Sequence, residues 1–307
     1  MPNKLYLECY SGISGDMTVA ALLDLGADQQ VLLEGLESLN LPGYQLKIGR
    51  VKKNGIDACD FDVILDEPEH DHDHDHEHHH EHDHDHEHEH HHEHEHEHHH
   101  DHEHEHHHDH DHEHHHEHDH EHHHDHDHEH HHHHDHVHRN IGDIFAIIDQ
   151  SKISDQAKQT AKDIFRIIAA AESKAHGIAE DQVHFHEVGA VDSIVDIVSA
   201  AICLDNLDIT EAVVSDLYEG CGYVHCQHGL MPVPVPAVVN IAADNALRLR
   251  LTQTRGEMIT PTGAAIAAYL SKGGKLPESF VIEKIGLGAG KKDFATANIL
   301  RAFLIRD

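Results

Sequence analysis

The sequence contains no tryptophan, and only 4% of its 307 residues are aromatic. No apolar run approaches the roughly 20 residues that cross a bilayer, and the N-terminus has no signal-peptide core, so we expect no membrane partner. There are 21 basic and 58 acidic residues, without a basic stripe interleaved with aromatics, which argues against nucleic acid as the main partner. The five cysteines are scattered and odd in number, which favours reduced thiols in a cytoplasmic protein over a disulfide framework.

Lysine, arginine, glycine and proline are all absent from residues 70–138, where Val137 is the single apolar residue. This tract holds 43 of the 48 histidines and 25 of the 58 acidic residues. It cannot bury apolar surface, so the composition predicts a solvated, disordered insertion. Imidazoles interleaved with carboxylates are ligands for Cu, Ni and Zn, which indicates metal binding; the alternative is a solubilising spacer. Nine of its clustered histidines represent the expected ligands: His78, His79, His80, His98, His99, His100, His130, His131 and His132.

Without the tract, 21 basic and 33 acidic residues remain among about 238 residues, enough for a real hydrophobic core. The hydrophobic periodicity of this remainder predicts an α+β fold, with mixed sheets and packed helices, interrupted by the disordered insertion. Asn54-Gly55 predicts a hairpin turn between two strands, and Asn140 and Ser154 precede helical patterns. Because a helix resumes directly after the tract, we expect residues 1–69 and 139–307 to form one core around the insertion at 70–138.

The segment SGISGDM at 11–17 links a predicted strand to a predicted helix. Ser14 is a candidate N-cap, and Asp16 lies in the first turn, where the helix dipole favours an acid. Glycines here allow a tight turn with free amides, the geometry of an anion pocket, although a capped strand-to-helix turn is the alternative. The TPTG turn at 260–263 also precedes a helix whose start suits a phosphate. The candidate cofactor-binding residues are Ser11, Gly12, Ser14, Gly15, Thr260, Thr262 and Gly263.

Residues 181–198 concentrate metal-ligand side chains within an otherwise apolar run. A short strand places His184 and His186 on one side, and a helix starting near Val191 places Asp192 and Asp196 one turn apart. The alternative is an ordinary strand–helix junction with polar capping residues. Farther along, the segment HCQH at 225–228 offers soft ligands for nickel or zinc, or else forms a strand end with a buried thiol. The candidate catalytic residues are His184, His186, Glu187, Asp192 and Asp16, and the candidate metal ligands outside the tract are His184, His186, Asp192, Asp196, His225, Cys226 and His228.

HFHEVGAVDSIVDIV at 184–198 and SGISGDM at 11–17 resemble the LarC family. The resemblance continues through GYVHCQHGLMPVPVPA at 222–237, GEMITPTGAA at 256–265 and IGLGAGKKDFATANILRAFL at 285–304. It implies a nickel cyclometallase that places Ni²⁺ between two sulfurs and a ring carbon of pyridinium-3,5-bisthiocarboxylic acid mononucleotide. Loss of the ring proton then requires a base, and a histidine or aspartate near the metal suits that role.

The resemblance also implies CTP hydrolysis with Mn²⁺ or Mg²⁺. Family chains usually continue into a C-terminal domain that carries the CTP site, so we expect this chain to need that domain as a separate partner. The recipient lactate racemase is a further expected partner. A non-catalytic nickel store or metallochaperone is the alternative function, for which the histidine-rich tract would suffice. A zinc hydrolase built on the His184/His186 centre is disfavoured because that segment, HFHEVGAVDSIVDIV, has no recognisable nucleophile and no HExxH motif.

Overall fold

The structure, a computed structural model, describes residues 3–66, 139–183, 191–226 and 228–306. The expected metal-binding tract at 70–138, with the histidines at 78–80, 98–100 and 130–132, lies outside these residues. In the described part, no helix is long and apolar enough to cross a membrane.

Ten strands and seven α-helices form the described chain. The strands are β1 (Asn3–Glu8), β2 (Tyr44–Lys53), β3 (Ile56–Leu65), β4 (Ile209–Val214), β5 (Leu217–Cys221), β6 (Tyr223–Cys226), β7 (Gly229–Pro232), β8 (Leu249–Arg255), β9 (Val281–Ala289) and β10 (Ile299–Arg306). The helices are α1 (Gly15–Leu25), α2 (Gln29–Glu37), α3 (Ile141–Gln150), α4 (Asp155–His176), α5 (Val191–Asn206), α6 (Pro236–Asp244) and α7 (Pro261–Leu270). This mixture of helices and strands confirms the predicted class.

The main sheet has six strands in the order β2-β3-β9-β10-β1-β4. It is mixed, since β1 pairs antiparallel with β10 and parallel with β4. Two smaller sheets pair β5 with β8 in parallel and β6 with β7 in antiparallel. The mixed sheets predicted from the sequence are therefore present.

Local turn chemistry explains the hairpin between β2 and β3. Asn54 and Gly55 both have positive φ, at 49° and 84°. A two-residue hairpin turn of the type favoured by Asn-Gly requires positive φ at both central residues, and glycine and asparagine adopt it at low cost. The predicted hairpin is confirmed.

Strand alternation divides the sheet into two faces. Leu5 and Leu7 of β1 lie in the main core, whereas Tyr6 between them packs with Val213 and Phe303 in a separate small cluster. This follows from successive side chains pointing to opposite faces of a strand. The helices cover the face that carries Leu5 and Leu7.

Helix α1 lies directly on β9 because two glycines leave room for its backbone. A Cβ atom at Gly288 would stand 1.9 Å from the carbonyl oxygen of Met17, and one at Gly286 would stand 2.1 Å from that of Ala21. No side chain larger than hydrogen fits at either position without a backbone shift. This contact fixes the N-terminus of α1 over the sheet.

The helices that follow residue 138 begin and end at the expected signals. Asn140 and Asp143 form a reciprocal capping box at the start of α3. The Ser154 side chain accepts from the amide of Ala157 at 3.0 Å, and α4 ends at Gly177 in the left-handed conformation. These helices share one hydrophobic core with strand β3, which precedes residue 70.

Candidate functional site

Segments that are distant in the sequence meet in a cavity of about 350 Å³, hereafter the acidic pocket. It is formed by the starts of α1, α5 and α7, the end of β3 and the loop after β9. Its lining residues are Ser14, Gly15, Asp16, Asp62, Val63, Asp192, Ser193, Asp196, Glu257, Thr260, Pro261, Thr262 and Lys291. The structure thus brings together candidate residues from the three separate motifs SGISGDM, VDSIVD and TPTG.

Backbone hydrogen bonds join the loop before α1 to the loop before α7. The Ile13 amide donates to the Met258 carbonyl at 3.0 Å, and the Thr260 amide donates to the Ile13 carbonyl at 3.1 Å. Ile13 and Ile259 form a parallel bridge between these contacts. The walls of the pocket are therefore held by main-chain contacts as well as by side chains.

Gly12 and Gly263 permit this close approach and do not line the pocket. A Cβ atom at Gly12 would stand 2.0 Å from the carbonyl oxygen of Met258, and Gly12 has a φ of +86°. A Cβ atom at Gly263 would stand 2.1 Å from the carbonyl oxygen of Ile13. Ser11 also lies outside the lining, where its hydroxyl donates to the Ala297 carbonyl at 2.8 Å.

Glu219 supports the same wall from inside the protein. Its Oε1 accepts from the amides of Gly220 and Met258, both at 2.7 Å, and of Ile259 at 3.2 Å. The residue is fully buried, and its Oε2 has no hydrogen-bond partner among the described residues. Burial raises the pKa of this carboxyl, and the hydrogen bonds from the three amides lower it. Burial is the larger effect, and the resulting pKa is about 7. Sequence reasoning missed Glu219, because the strand segment LYEGC gives no sign that the acid faces inward.

Ser14 occupies the predicted N-cap position of α1, but its hydroxyl bonds to the Asp16 carboxylate instead of to a helix amide. Asp16 lies in the first turn, as expected. Burial raises the pKa of Asp16, and the Ser14 hydroxyl opposes this shift. The first turn of α1 therefore carries a carboxyl that burial makes harder to ionise.

Asp192 and Asp196 lie one turn apart on α5 and both line the acidic pocket, as the spacing predicted. The pKa of Asp196 is raised well above its usual value by burial and by the nearby Asp16 and Asp192 carboxyls. Burial also raises the pKa of Asp192. One oxygen of each, Oδ1, is buried without a hydrogen-bond partner among the described residues. Three crowded carboxyls in this environment favour a bound proton or cation.

The N-terminus of α1 is occupied by a carboxyl of the chain itself. The Asp16 amide donates to the Asp196 carboxylate. A Cβ atom at Gly15 would stand 2.4 Å from Asp196 Oδ2, so only glycine lets the two helices approach this closely. In the structure, the group at this helix start is therefore the Asp196 carboxyl.

Lys291 provides the positive charge of the acidic pocket. Its Nζ lies 2.8 Å from Asp60 Oδ1 and 3.3 Å from Asp62 Oδ1. Burial lowers the pKa of Lys291, but the hydrogen bond to Asp60 and the charges of Asp60 and Asp62 outweigh it, and the net shift is upward. Thr260, which also lines the pocket, caps α7 by accepting from the Gly263 amide at 3.1 Å. The pocket therefore combines several carboxyls with one lysine and the start of a helix.

His184, His186 and Glu187 lie outside the described residues. The helix that follows them begins at Val191, as predicted.

The other predicted ligand group, His225, Cys226 and His228, lines a second cavity of about 470 Å³, hereafter the thiol pocket. Its remaining lining residues are Glu172, Ala175, His176, Val224, Met231, Val235, Pro236, Ala237, Glu257 and Pro261. The rings of His176 and His228 are 4.9 Å apart between centroids. Glu257 and Pro261 line both pockets, which are therefore neighbours. Sequence reasoning missed His176, because it ends a helix far from the HCQH motif in the chain.

Among the described residues, no group of three or more histidine, cysteine, aspartate or glutamate side chains is arranged to hold a metal ion. The predicted ligands that can be placed are thus divided between the two pockets. A larger cavity of about 700 Å³ next to α2 and α5 is lined by none of the predicted site residues.

The matches with known proteins point to the same family. The sequence model of the nickel insertion protein family matches residues 5–307. A pyridinium-3,5-bisthiocarboxylic acid mononucleotide nickel insertion protein from Alkaliphilus metalliredigens is 55% identical over 100% of this chain and 61% of its own length. Proteins of the same name from Clostridium acetobutylicum and Acetivibrio thermocellus are 42% and 36% identical over 98% of this chain, and over 63% and 60% of their own lengths.

This chain spans about three fifths of the length of the curated relatives it matches. No solved structure matches it. The family model covers nearly the whole chain, and the resemblance first seen in the SGISGDM and HFHEVGAVDSIVDIV motifs is confirmed. The chain belongs to the nickel insertion protein family.

Proposed function

We propose that this chain inserts Ni²⁺ into pyridinium-3,5-bisthiocarboxylic acid mononucleotide and that the acidic pocket is the reaction site. The relatives named for this insertion support the reaction. The observation that carries the choice of site is the group of Asp16, Asp192 and Asp196. Their carboxyls share one pocket, and two of the buried oxygens have no hydrogen-bond partner among the described residues.

Forming a nickel–carbon bond at the pyridinium ring displaces a ring proton, and this step requires a base. The electron pair of the breaking C–H bond becomes the nickel–carbon bond, and the proton passes to a carboxylate. Asp196 suits this role because burial and the neighbouring acids raise its pKa, which makes its ionised form a stronger base than an exposed aspartate. The charge of the Asp192 carboxyl, one turn away, raises the pKa of Asp196 and so favours retention of the transferred proton.

The phosphate of the mononucleotide fits beside Lys291 and the start of α7. Lys291 stays charged there. The N-terminus of the ten-residue helix α7 lies at the pocket wall, where Thr260 and Thr262 line the cavity. A lysine and a helix N-terminus both favour an anion. This arrangement orients the pyridinium ring toward Asp192 and Asp196.

Several finer steps are part of the same proposal. CTP hydrolysis with Mn²⁺ or Mg²⁺ takes place on the portion of the relatives that this chain does not span, and that portion acts with this chain. The histidine-rich tract supplies Ni²⁺ as substrate. The finished cofactor passes to lactate racemase in the cytoplasm.

The test is formation of the nickel–cofactor product by the full chain, followed by mass spectrometry. The reaction contains the pincer precursor, limiting Ni²⁺, CTP and Mn²⁺, with and without the remaining portion of the Alkaliphilus metalliredigens relative as a separate chain. Asp196→Asn is expected to lower the rate by about 100-fold or more, because it removes the base while keeping the shape of the side chain.

The matched control is Asp163→Asn on the surface of α4, where Asp163 pairs with Arg166. This variant is expected to react at the wild-type rate. Undiminished product formation by Asp196→Asn would overturn the assignment of the base. If neither wild-type mixture forms product while the chain still binds Ni²⁺, nickel storage replaces insertion as the function.

A further inference from the structure

We propose that His176, Cys226 and His228 bind Ni²⁺ in the thiol pocket before its insertion. This inference rests on the proposed function, because the ion bound there is the substrate of the neighbouring acidic pocket. It keeps Cys226 and His228 of the predicted ligand group, replaces His225 by His176 from α4, and assigns Glu172 as the residue that orients His176.

The pocket combines soft donors with an apolar wall. Cys226 and Val224 share the inward-facing, half-buried side of β6, and Met231 and Val235 add apolar surface. A thiolate together with imidazole nitrogens suits Ni²⁺, Cu²⁺ or Zn²⁺ and disfavours Mg²⁺ or Ca²⁺. The acidic pocket has the opposite character, since its described ligand-type side chains are all carboxylates. The thiol pocket is therefore the one of the two whose donors select a borderline transition metal.

His176 is placed and oriented for a ligand role. It is the last residue of α4, at the helix end where the dipole favours a positive charge. Its Nε2 lies 3.3 Å from Oε2 of Glu172, one turn earlier on the same helix. A carboxylate that holds one ring nitrogen of a histidine leaves the other for a metal, a common arrangement around protein metal ions.

The two histidines already lie together. The ring centroids of His176 and His228 are 4.9 Å apart, although one ends α4 and the other precedes β7. His228 is exposed and His176 is one-third exposed in its side chain, so an ion from solution can reach both. The pocket volume of about 470 Å³ leaves space for the rings to turn toward a shared ion.

The site closes around the ion when it binds. Among the described residues, no three such side chains already converge on one point. Binding must therefore bring Cys226 and the two rings together, and part of the binding free energy is used to order them. An ion held in this way is released more easily than one in a rigid cage, and release is what transfer requires.

The position of the pocket explains the direction of transfer. Glu257 and Pro261 form a wall common to both pockets. Oε2 of Glu257 lies 3.2 Å from Nζ of Lys292, so this wall carries a positioned carboxylate. Ni²⁺ leaving the thiol pocket therefore meets carboxylate oxygens on its way to Asp192 and Asp196.

Thiolate–nickel charge-transfer absorption in the near ultraviolet tests this inference on the full chain. The histidine-rich tract contains no cysteine, so it cannot produce this signal even when saturated with Ni²⁺. Cys9, Cys59 and Cys203 are buried, and only Cys221 and Cys226 are partly exposed. The reduced chain is titrated with Ni²⁺ until the tract is saturated and the absorption no longer changes.

The wild-type chain and Cys221→Ser are expected to show the band, and Cys226→Ser is expected to lose it. His176→Ala should need about tenfold more Ni²⁺ for half of the signal, since a ligand and its orienting carboxylate are lost. Absence of the band in the wild-type chain, its persistence in Cys226→Ser, or an unchanged titration of His176→Ala would overturn the proposed site.

Insertion assays on the same samples separate this inference from the proposed function. Asp196→Asn is expected to keep the thiolate band while it loses product formation. A wild-type chain that forms product without a thiolate band would refute the nickel site and leave the function standing. A chain that shows the band but forms no product under any condition would refute the function and leave the site.

Discussion

The acidic pocket and the thiol pocket share a wall but differ in how they are built. The acidic pocket is held by main-chain contacts between loops, at Ile13, Met258 and Thr260, that allow little movement. The thiol pocket is bordered by the short β6–β7 hairpin, where a Cβ atom at Gly229 would meet nothing within 4 Å. We infer that the first pocket keeps a fixed geometry for chemistry and that the second adapts to capture and release an ion, because catalysis needs fixed geometry and transfer needs release.

The largest expected effect comes from disturbing the rigid pocket. Gly263→Ala is expected to lower the free energy of unfolding by about 3 kcal/mol, because its Cβ would stand 2.1 Å from the Ile13 carbonyl oxygen and one backbone segment must move. Urea denaturation measures this change. The control is Gly49→Ala in β2, where a Cβ atom meets nothing within 4 Å and the change should stay within about 0.5 kcal/mol. Equal effects at both positions would contradict a tightly built acidic pocket.

Glu219→Gln tests the support beneath the acidic pocket through its pH dependence. The folded pKa of Glu219, about 7, lies above the unfolded value of 4.5. The preference of Glu219 for its protonated form in the folded protein therefore stabilises the fold. This contribution is complete below pH 4.5 and is lost as the pH rises through 7. Urea denaturation at several pH values should show the variant gaining stability over wild type across this range, by up to about 3 kcal/mol.

The matched control for that series is Glu34→Gln on the exposed face of α2. It should show no growing difference from wild type between acidic and neutral pH. A difference between Glu219→Gln and wild type that stays constant with pH would mean that the pKa of Glu219 is the same in the folded and unfolded protein, and would contradict the raised value.

Lys291→Met tests the anion-binding side of the acidic pocket. We expect KM for the pincer precursor to rise by about tenfold with a smaller change in kcat, because a charged hydrogen bond to phosphate contributes mainly to binding. Steady-state kinetics of product formation measures the split. Lys52→Met at an exposed position of β2 is the control and should leave both constants unchanged. A loss confined to kcat would place the phosphate elsewhere.

The smallest expected effect lies in the adaptable thiol pocket. Glu172→Gln should weaken Ni²⁺ binding by about threefold, below the 10- to 100-fold typical of second-shell carboxylates, because this pair is partly exposed to solvent. The thiolate–nickel titration measures the change. A loss as large as that of His176→Ala would show that Glu172 is itself a ligand.

Local signals in the sequence predicted much of this arrangement. Asn54-Gly55 predicted the hairpin, Ser14 and Asp16 predicted the start of α1, and the spacing of Asp192 and Asp196 placed them on one helix face. These features depend on residues within a few positions of one another. They could therefore be predicted without knowledge of the tertiary fold.

The residues that sequence reasoning missed depend on contacts between distant segments. Glu219 binds amides about 40 positions away, and His176 meets His228 across more than 50 positions. Gly12 and Gly263 were expected to offer amides to a phosphate, whereas the fold uses their missing side chains for the approach of two loops. Pairings of this kind follow from how helices and strands pack, and no local pattern marks them.

Hydrogen-exchange mass spectrometry on the full chain tests the division of roles most directly. One sample receives the pincer precursor alone, and another receives Ni²⁺ alone beyond the capacity of the histidine-rich tract. The account predicts that the precursor slows exchange in residues 12–20 and 257–264, and that Ni²⁺ slows exchange in residues 172–177 and 223–232. Protection of the 223–232 hairpin by the precursor, with residues 12–20 and 257–264 unchanged, would contradict the assignment of the acidic pocket as the insertion site.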